Sequence, residues 1–278
     1  MMEENLLLAI VLTLLAGLST GLGAMLIFLA KKPKNSHLSF ALGLSAGVMV
    51  YISLVELLPE AQHQIAETMS EKMAEWIAIG SFFLGIAISA IIDRLIPDAQ
   101  NPHEVRSAEL LEKVSGKSDK SGTPGSSMKG ALMRTGTFTA LAIGIHNFPE
   151  GFATFMGTLA DPGFGVSIAF AVAVHNIPEG ISVSVPIYFA TKSRKQAFAY
   201  SFLSGMAEPV GALIGYLILR PFINNVLMGV TFGVISGIMV FISLDELLPA
   251  AKEYGKGHTA IAGVVLGMAI MAVSLVIM

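Results

Sequence analysis

An all-α, polytopic membrane protein with eight transmembrane helices is the architecture this sequence predicts, and three observations predict it. Hydrophobic residues fill 54% of the 278 positions and charged residues only 13%, about half the charged share of a soluble domain. Eight stretches approach the roughly 20 apolar residues that cross a hydrocarbon core, and none of them contains Lys or Arg. A 15-residue segment of the second stretch recurs on the seventh.

The stretches run approximately over residues 6–30, 38–59, 76–92, 135–160, 164–190, 196–219, 222–249 and 259–278, all in one transmembrane domain spanning 1–278. The first is too long for a signal peptide and lacks a small-residue cleavage pattern, so it is expected to stay in the mature chain. Between the third and fourth, residues 97–129 are rich in Ser, Gly and Pro, carry mixed charge and hold no aromatic residue. They read as a mobile cytoplasmic loop with at most a short amphipathic helix over 108–114. The loop's lone His103 is given no role. Positively charged connections stay on the cytoplasmic side. With both termini outside, 15 of the 17 basic residues fall inside, leaving only Lys72 and Arg220 out.

The repeat organises the chain. GVMVYISLVELLPEA (47–61) and GIMVFISLDELLPAA (237–251) agree at 11 of 15 positions, on helices two and seven, which run in opposite directions under this topology. Repeats of opposite orientation are the mark of inverted-repeat transporters, whose site lies near the midplane. Three helices, then two, then three is the expected arrangement, with helices four and five at the centre.

Those central helices carry HNFPEG (146–151) and HNIPEG (175–180). In a helix, residues four apart share a face, so His146 stacks with Glu150 and His175 with Glu179, while Asn147 and Asn176 lie three residues from the same glutamates. The two motifs are symmetric about the Asp161–Gly163 turn, so His146 should face Glu179 and Glu150 should face His175. Pro149 and Pro178 free the carbonyls of Ile145 and Val174 and bend each helix. Gly151 and Gly180 permit close helix approach.

Charge decides what such a cluster can do. Glu56, Glu150, Glu179, Glu208, Asp245 and Glu246 lie within the expected spans, with no Lys or Arg beside them. A buried carboxylate costs several kcal/mol unless it is protonated or neutralised. Two imidazoles converging on carboxylates suit Zn²⁺, Fe²⁺ or Mn²⁺ better than Na⁺ or Ca²⁺, and with no cysteine in the chain a thiolate site is excluded. Met49, Glu56, Asp245 and Glu246 are further candidates along a pathway, Glu56 on the outer side and Asp245 and Glu246 on the cytoplasmic side. For Met49, ordinary core packing competes with a ligand role.

With HNFPEG and HNIPEG, and GMAEPVGA carrying Glu208 on helix six, the chain resembles the ZIP (Zrt-, Irt-like protein) metal transporters, and most of all their bacterial branch, over nearly its whole length. The resemblance implies import of divalent metal, chiefly Zn²⁺; the sequence does not rank Zn²⁺ against Fe²⁺, Mn²⁺, Co²⁺ or Cd²⁺, and a carrier that exposes the site alternately to each side is the expected mechanism. The resemblance also implies a homodimer of eight-helix protomers in the cytoplasmic membrane, with no cofactor, no catalysis and no nucleic-acid partner. Carried over by position, His146, Glu150, His175 and Glu179 form a primary metal site. Asn147, Glu150, Asn176, Glu179 and Glu208 form an adjoining one. Some members have Gln and Asp where this chain has His175 and Asn176, which bears on metal preference. An intramembrane metal hydrolase also sets His and carboxylates in helices, but no HExxH occurs. A channel-like metal pathway stays open alongside the carrier.

Overall fold

The computed structural model describes residues 5–29, 35–95, 126–255 and 257–277. Among them all regular structure is helical, in eight rods. They are α1 (Leu6–Leu29), α2 (Asn35–Ala66), α3 (Glu71–Leu95), α4 (Ser126–Ala160), α5 (Pro162–Thr191), α6 (Arg194–Gly205 and Ala207–Leu219), α7 (Asn225–Tyr254) and α8 (Gly257–Ile277). Seven are long and apolar enough to cross a membrane. The exception is α4, whose apolar face is diluted by Lys129, Arg134 and the HNFPEG motif.

Several boundaries differ from the expectation. Helix α4 begins at Ser126 rather than near 135, so 126–129 belong to a helix and not to the loop. Residues 97–125, with His103 and the 108–114 segment, lie outside the described residues. Helix α3 extends to Glu71 and Leu95, beyond the apolar window, because polar residues at a span's ends remain good helix formers. A turn at Met206 divides α6 in two just before Glu208. Polar caps set the junctions: Asp161 Oδ1 accepts the Phe164 N–H at 2.8 Å, with Pro162 opening α5. Asn224 Oδ1 accepts the Leu227 N–H at 2.9 Å.

Helices α2 and α7 do not stop at their prolines. Each passes through one π-helical turn, Ser53–Leu57 and Ser243–Leu247, and continues for two more turns or so. Pro59 and Pro249 have no N–H to donate, and the wider i to i+5 pattern absorbs the misfit: Leu58 N–H bonds the Ser53 carbonyl, and Leu248 N–H bonds that of Ser243. The sequence repeat is thus repeated in backbone irregularity.

Close packing divides the rods into two groups. A side chain added at Gly43 or Gly47 of α2 would strike the Ala260 or Val264 carbonyl of α8, and Gly263 and Gly267 stand likewise against Phe40 and Leu44. Such small-xxx-small pairs let backbones meet. Gly237 of α7 abuts the Phe82 carbonyl of α3. In the other group, Gly180 of α5 meets the Thr20 carbonyl of α1, and Gly151 of α4 meets that of Glu208 on α6. Among the described residues, every glycine that admits another helix's backbone does so inside α1/α4/α5/α6 or inside α2/α3/α7/α8. The groups meet where α5 lies along α2 and α4 touches α7.

Replacing Gly237 with Ala should lower stability by about 1–3 kcal/mol through overpacking. Gly80, with open space around it, should accept Ala with no loss. Thermal unfolding midpoints in detergent check the pair.

Candidate metal centre

Two prolines and two facing helices build the centre. Each HNxPEG motif places its His and Glu one turn apart, and the short Asp161 hairpin sets the two motifs at equal depth. His175 Nε2 lies 3.0 Å from Glu150 Oε2. His146 Nε2 lies 3.1 Å from Glu150 Oε1 and 3.6 Å from Glu179 Oε1. All four side chains are buried, at 5% exposure or less. The imidazole rings stand edge to face, 6.5 Å between centroids.

Hydrogen bonding fixes what each group offers inward. His175 Nδ1 donates to the Ala171 carbonyl at 3.0 Å, so its Nε2 presents either a lone pair or a second proton to Glu150. A proton or a cation must therefore lie between that nitrogen and the carboxylate. The Asn147 amide nitrogen donates to the Ser204 carbonyl at 3.1 Å. That of Asn176 donates to the Ala16 carbonyl at 3.0 Å and to Glu208 Oε1. Both amides are thus held by their nitrogens, and both oxygens are left over.

Those leftover atoms are the main feature of the centre. His146 Nδ1, Asn147 Oδ1, Asn176 Oδ1, Glu179 Oε2 and Glu208 Oε2 are buried without a hydrogen-bond partner, and the His146–Glu150 contact is not aligned as a hydrogen bond. Native interiors satisfy nearly all such groups. A concentration of unsatisfied acceptors around two imidazoles is what a cation would complete. One ligand atom from each of His146, His175 and Glu179 can be chosen with all three within 4.8 Å of one another. A tetrahedral Zn²⁺ with bonds near 2.0–2.1 Å asks for separations of about 3.4 Å, which the 3.0–3.6 Å His–Glu contacts already approach. After Arg134 on α4, throughout α5, and after Lys195 on α6, no Lys or Arg occurs to compete for these carboxylates.

The other candidates separate. Glu208, fully buried at the start of the second half of α6, joins the cluster through Asn176. Met49 is packed in the apolar core with Ile52 and Met239, and Ser53 Oγ bonds its carbonyl at 2.6 Å. Glu56, Asp245 and Glu246 sit on the π-turns; Asp245 is exposed, while Glu56 and Glu246 are half-buried. Glu246 lines two cavities that both reach His146. One also touches Glu179, Glu253 and Tyr254, and the other Asp93 and Pro149. Sequence reasoning missed Glu253, although it lies two turns beyond Glu246 on the same face. It also missed the carbonyls of Ala16, Ala171 and Ser204, which no sequence pattern announces because every residue has one.

A family model described as ZIP Zinc transporter matches residues 4–275. Zinc transporter ZupT of Streptococcus mutans is 53% identical over 276 residues, and that of Chlorobium chlorochromatii likewise, each alignment covering 99% of both chains. The ZupT of Lysinibacillus sphaericus is 50% identical over 277 residues, covering 100% of both.

Glu150 touches both imidazoles, so Glu150→Gln should weaken Zn²⁺ binding by at least about tenfold. Ser204→Ala keeps the backbone carbonyl that holds Asn147 and should leave affinity within about twofold. Competition against a chromophoric chelator in detergent measures both.

Proposed function

The chain belongs to the ZIP zinc transporter family, and on that premise we propose that it carries Zn²⁺ from outside into the cytoplasm through the His/Glu/Asn centre on α4, α5 and α6. It is a transporter and not an enzyme, in keeping with the family, which sets the hydrolase reading aside. The single observation that carries the site assignment is the cluster of unsatisfied buried acceptors around His146 and His175.

In this reading His146, His175, Glu150 and Glu179 hold the ion, with Glu150 shared between the imidazoles. The oxygens of Asn147, Asn176 and Glu208 complete an adjoining position. Neutralising two or three carboxylates in an apolar interior offsets a penalty of several kcal/mol each. The cation is thereby attracted without Lys or Arg. Fe²⁺, Mn²⁺, Co²⁺ and Cd²⁺ can use the same donors.

Two features support alternating access. The division into two glycine-knit groups leaves all the centre's ligands in one of them, α1/α4/α5/α6, so that group can shift against the other without disturbing the ligand set. One cavity from His146 runs past Glu246 towards Tyr254, and the other past Glu246 to Asp93. The distribution of basic residues assigns that end to the cytoplasm, with both termini outside and the three-two-three inverted repeat centred on α4 and α5. The structure is then the inward-facing state, Glu246 and Glu253 being the groups that pass the ion out. A homodimer in the cytoplasmic membrane is the assembly taken over from the family resemblance.

Proteoliposomes test the reading. Wild-type chain should show saturable uptake of radioactive zinc with counterflow, and Glu150→Ala with Glu179→Ala should abolish it while the fold persists. Undiminished uptake by that double variant would sink the assignment. Metal ligands must be deprotonated. Apparent KM should therefore rise as external pH falls.

A further inference from the structure

Among the described residues, many buried hydroxyls close on their own helix. Thr13 bonds the Ala9 carbonyl at 2.8 Å, Ser53 that of Met49 at 2.6 Å, Thr158 that of Thr154 at 2.7 Å and Ser243 that of Met239 at 2.6 Å. Three buried serines among the described residues bond another helix instead. Ser201 of α6 lies 3.0 Å from the Thr20 carbonyl and 3.1 Å from that of Gly180, inside the group that holds the centre. Ser236 of α7 donates to the Ser53 carbonyl at 2.7 Å, inside the other group. Ser45 differs from both. Fully buried on α2, it donates to the carbonyl of His175 on α5 at 3.2 Å, across the boundary between the groups.

We propose that Ser45 is a positioning residue that biases the transporter towards the state seen here, by tying the backbone of His175 on α5 to α2. The proposal rests on the alternating-access reading above. The bond engages the carbonyl of His175 and leaves its imidazole untouched, so it acts on where the helix sits and not on metal coordination. Along this boundary no glycine among the described residues admits a facing backbone, so a directional polar contact counts for more here than inside either group.

The bond is also easily given up. Ser45 stands four residues after Ala41, whose carbonyl it reaches by a rotation of χ1, in the arrangement that Ser53 and Ser243 already adopt. When α5 moves away the hydroxyl is therefore not stranded in an apolar interface. Interhelical hydrogen bonds in membranes are worth ~0.6 kcal/mol on average, or about threefold in a two-state equilibrium. That is enough to set a preference and too little to lock the carrier.

The bias is one-sided. The repeat that equates Gly47 with Gly237 equates Ser45 with Ile235. By that symmetry the opposite state would bring Ile235 of α7 to the His146 carbonyl of α4, and isoleucine has no proton to donate. One state gains a hydrogen bond that its mirror lacks.

The absence of cysteine makes the test clean. Met228→Cys reports on the α7 end beside the α2–α3 turn, where Met228 is packed with 7% exposure. Ala250→Cys lines the open cavity. With metal-free protein in detergent, Ser45→Ala should speed N-ethylmaleimide labelling of Met228→Cys about threefold. Labelling of Ala250→Cys should not speed up, Zn²⁺ affinity of the centre should stay within about twofold, and Ser45→Thr should return the Met228→Cys rate to wild type. Equal Met228→Cys rates with and without the Ser45→Ala substitution would overturn the proposal, as would acceleration at both reporters, which signals general loosening. If Met228→Cys resists labelling in every background while zinc uptake persists, the alternating-access reading fails and the proposal falls with it.

Discussion

Negative charge in an apolar interior, with no fixed positive charge to meet it, is the constraint from which the rest of this structure follows. Glu150, Glu179 and Glu208 are buried at 1% exposure or less. A Lys or Arg beside them would satisfy the electrostatics permanently and leave nothing for a visiting ion. Two imidazoles do otherwise: they contact the carboxylates and carry nitrogen donors of their own. Buried acceptors without a hydrogen-bond partner accompany these carboxylates, the feature on which the proposed metal site rests.

Holding so many polar groups ready requires a rigid frame, and backbone contact supplies it. Pro149 and Pro178 lie within continuous helices, and glycine at 151 and 180 brings α6 and α1 to within contact of α4 and α5. The Asn147 and Asn176 amides are oriented by carbonyls of α6 and α1. The ligands and their supports therefore belong to one body. The second body, α2/α3/α7/α8, contains the two π-turns, and its Glu246 lines a cavity that reaches His146. Among the described residues, close backbone contact at glycine knits each group and is absent between them.

Much of this could be read from residue order. Helix count followed from apolar length, and the pairing of His175 with Glu150 followed from four-residue spacing on two helices joined by a tight turn. Gly151 and Gly180 also stood in the sequence as points of close helix approach, and both meet a facing backbone. Helix ends were harder. Polar residues such as Ser126 and Glu71 extend helices past the apolar window without changing its hydropathy. Proline at 59 and 249 looks like a stop until a π-turn accommodates it.

The sequence by itself determined the chemistry: which donors lie near the middle of which helices, that they occur in two matched copies, and that no counter-cation accompanies them. Local spacing suffices for that, because a helix converts residue number directly into face and depth. Only the tertiary structure decided which backbone carbonyls orient the amides, how the helices divide into two groups, and that Ser45 bonds across their boundary rather than to its own helix. Those outcomes depend on which helix lies against which, and on backbone groups that every residue carries alike, so no pattern of side chains could have announced them.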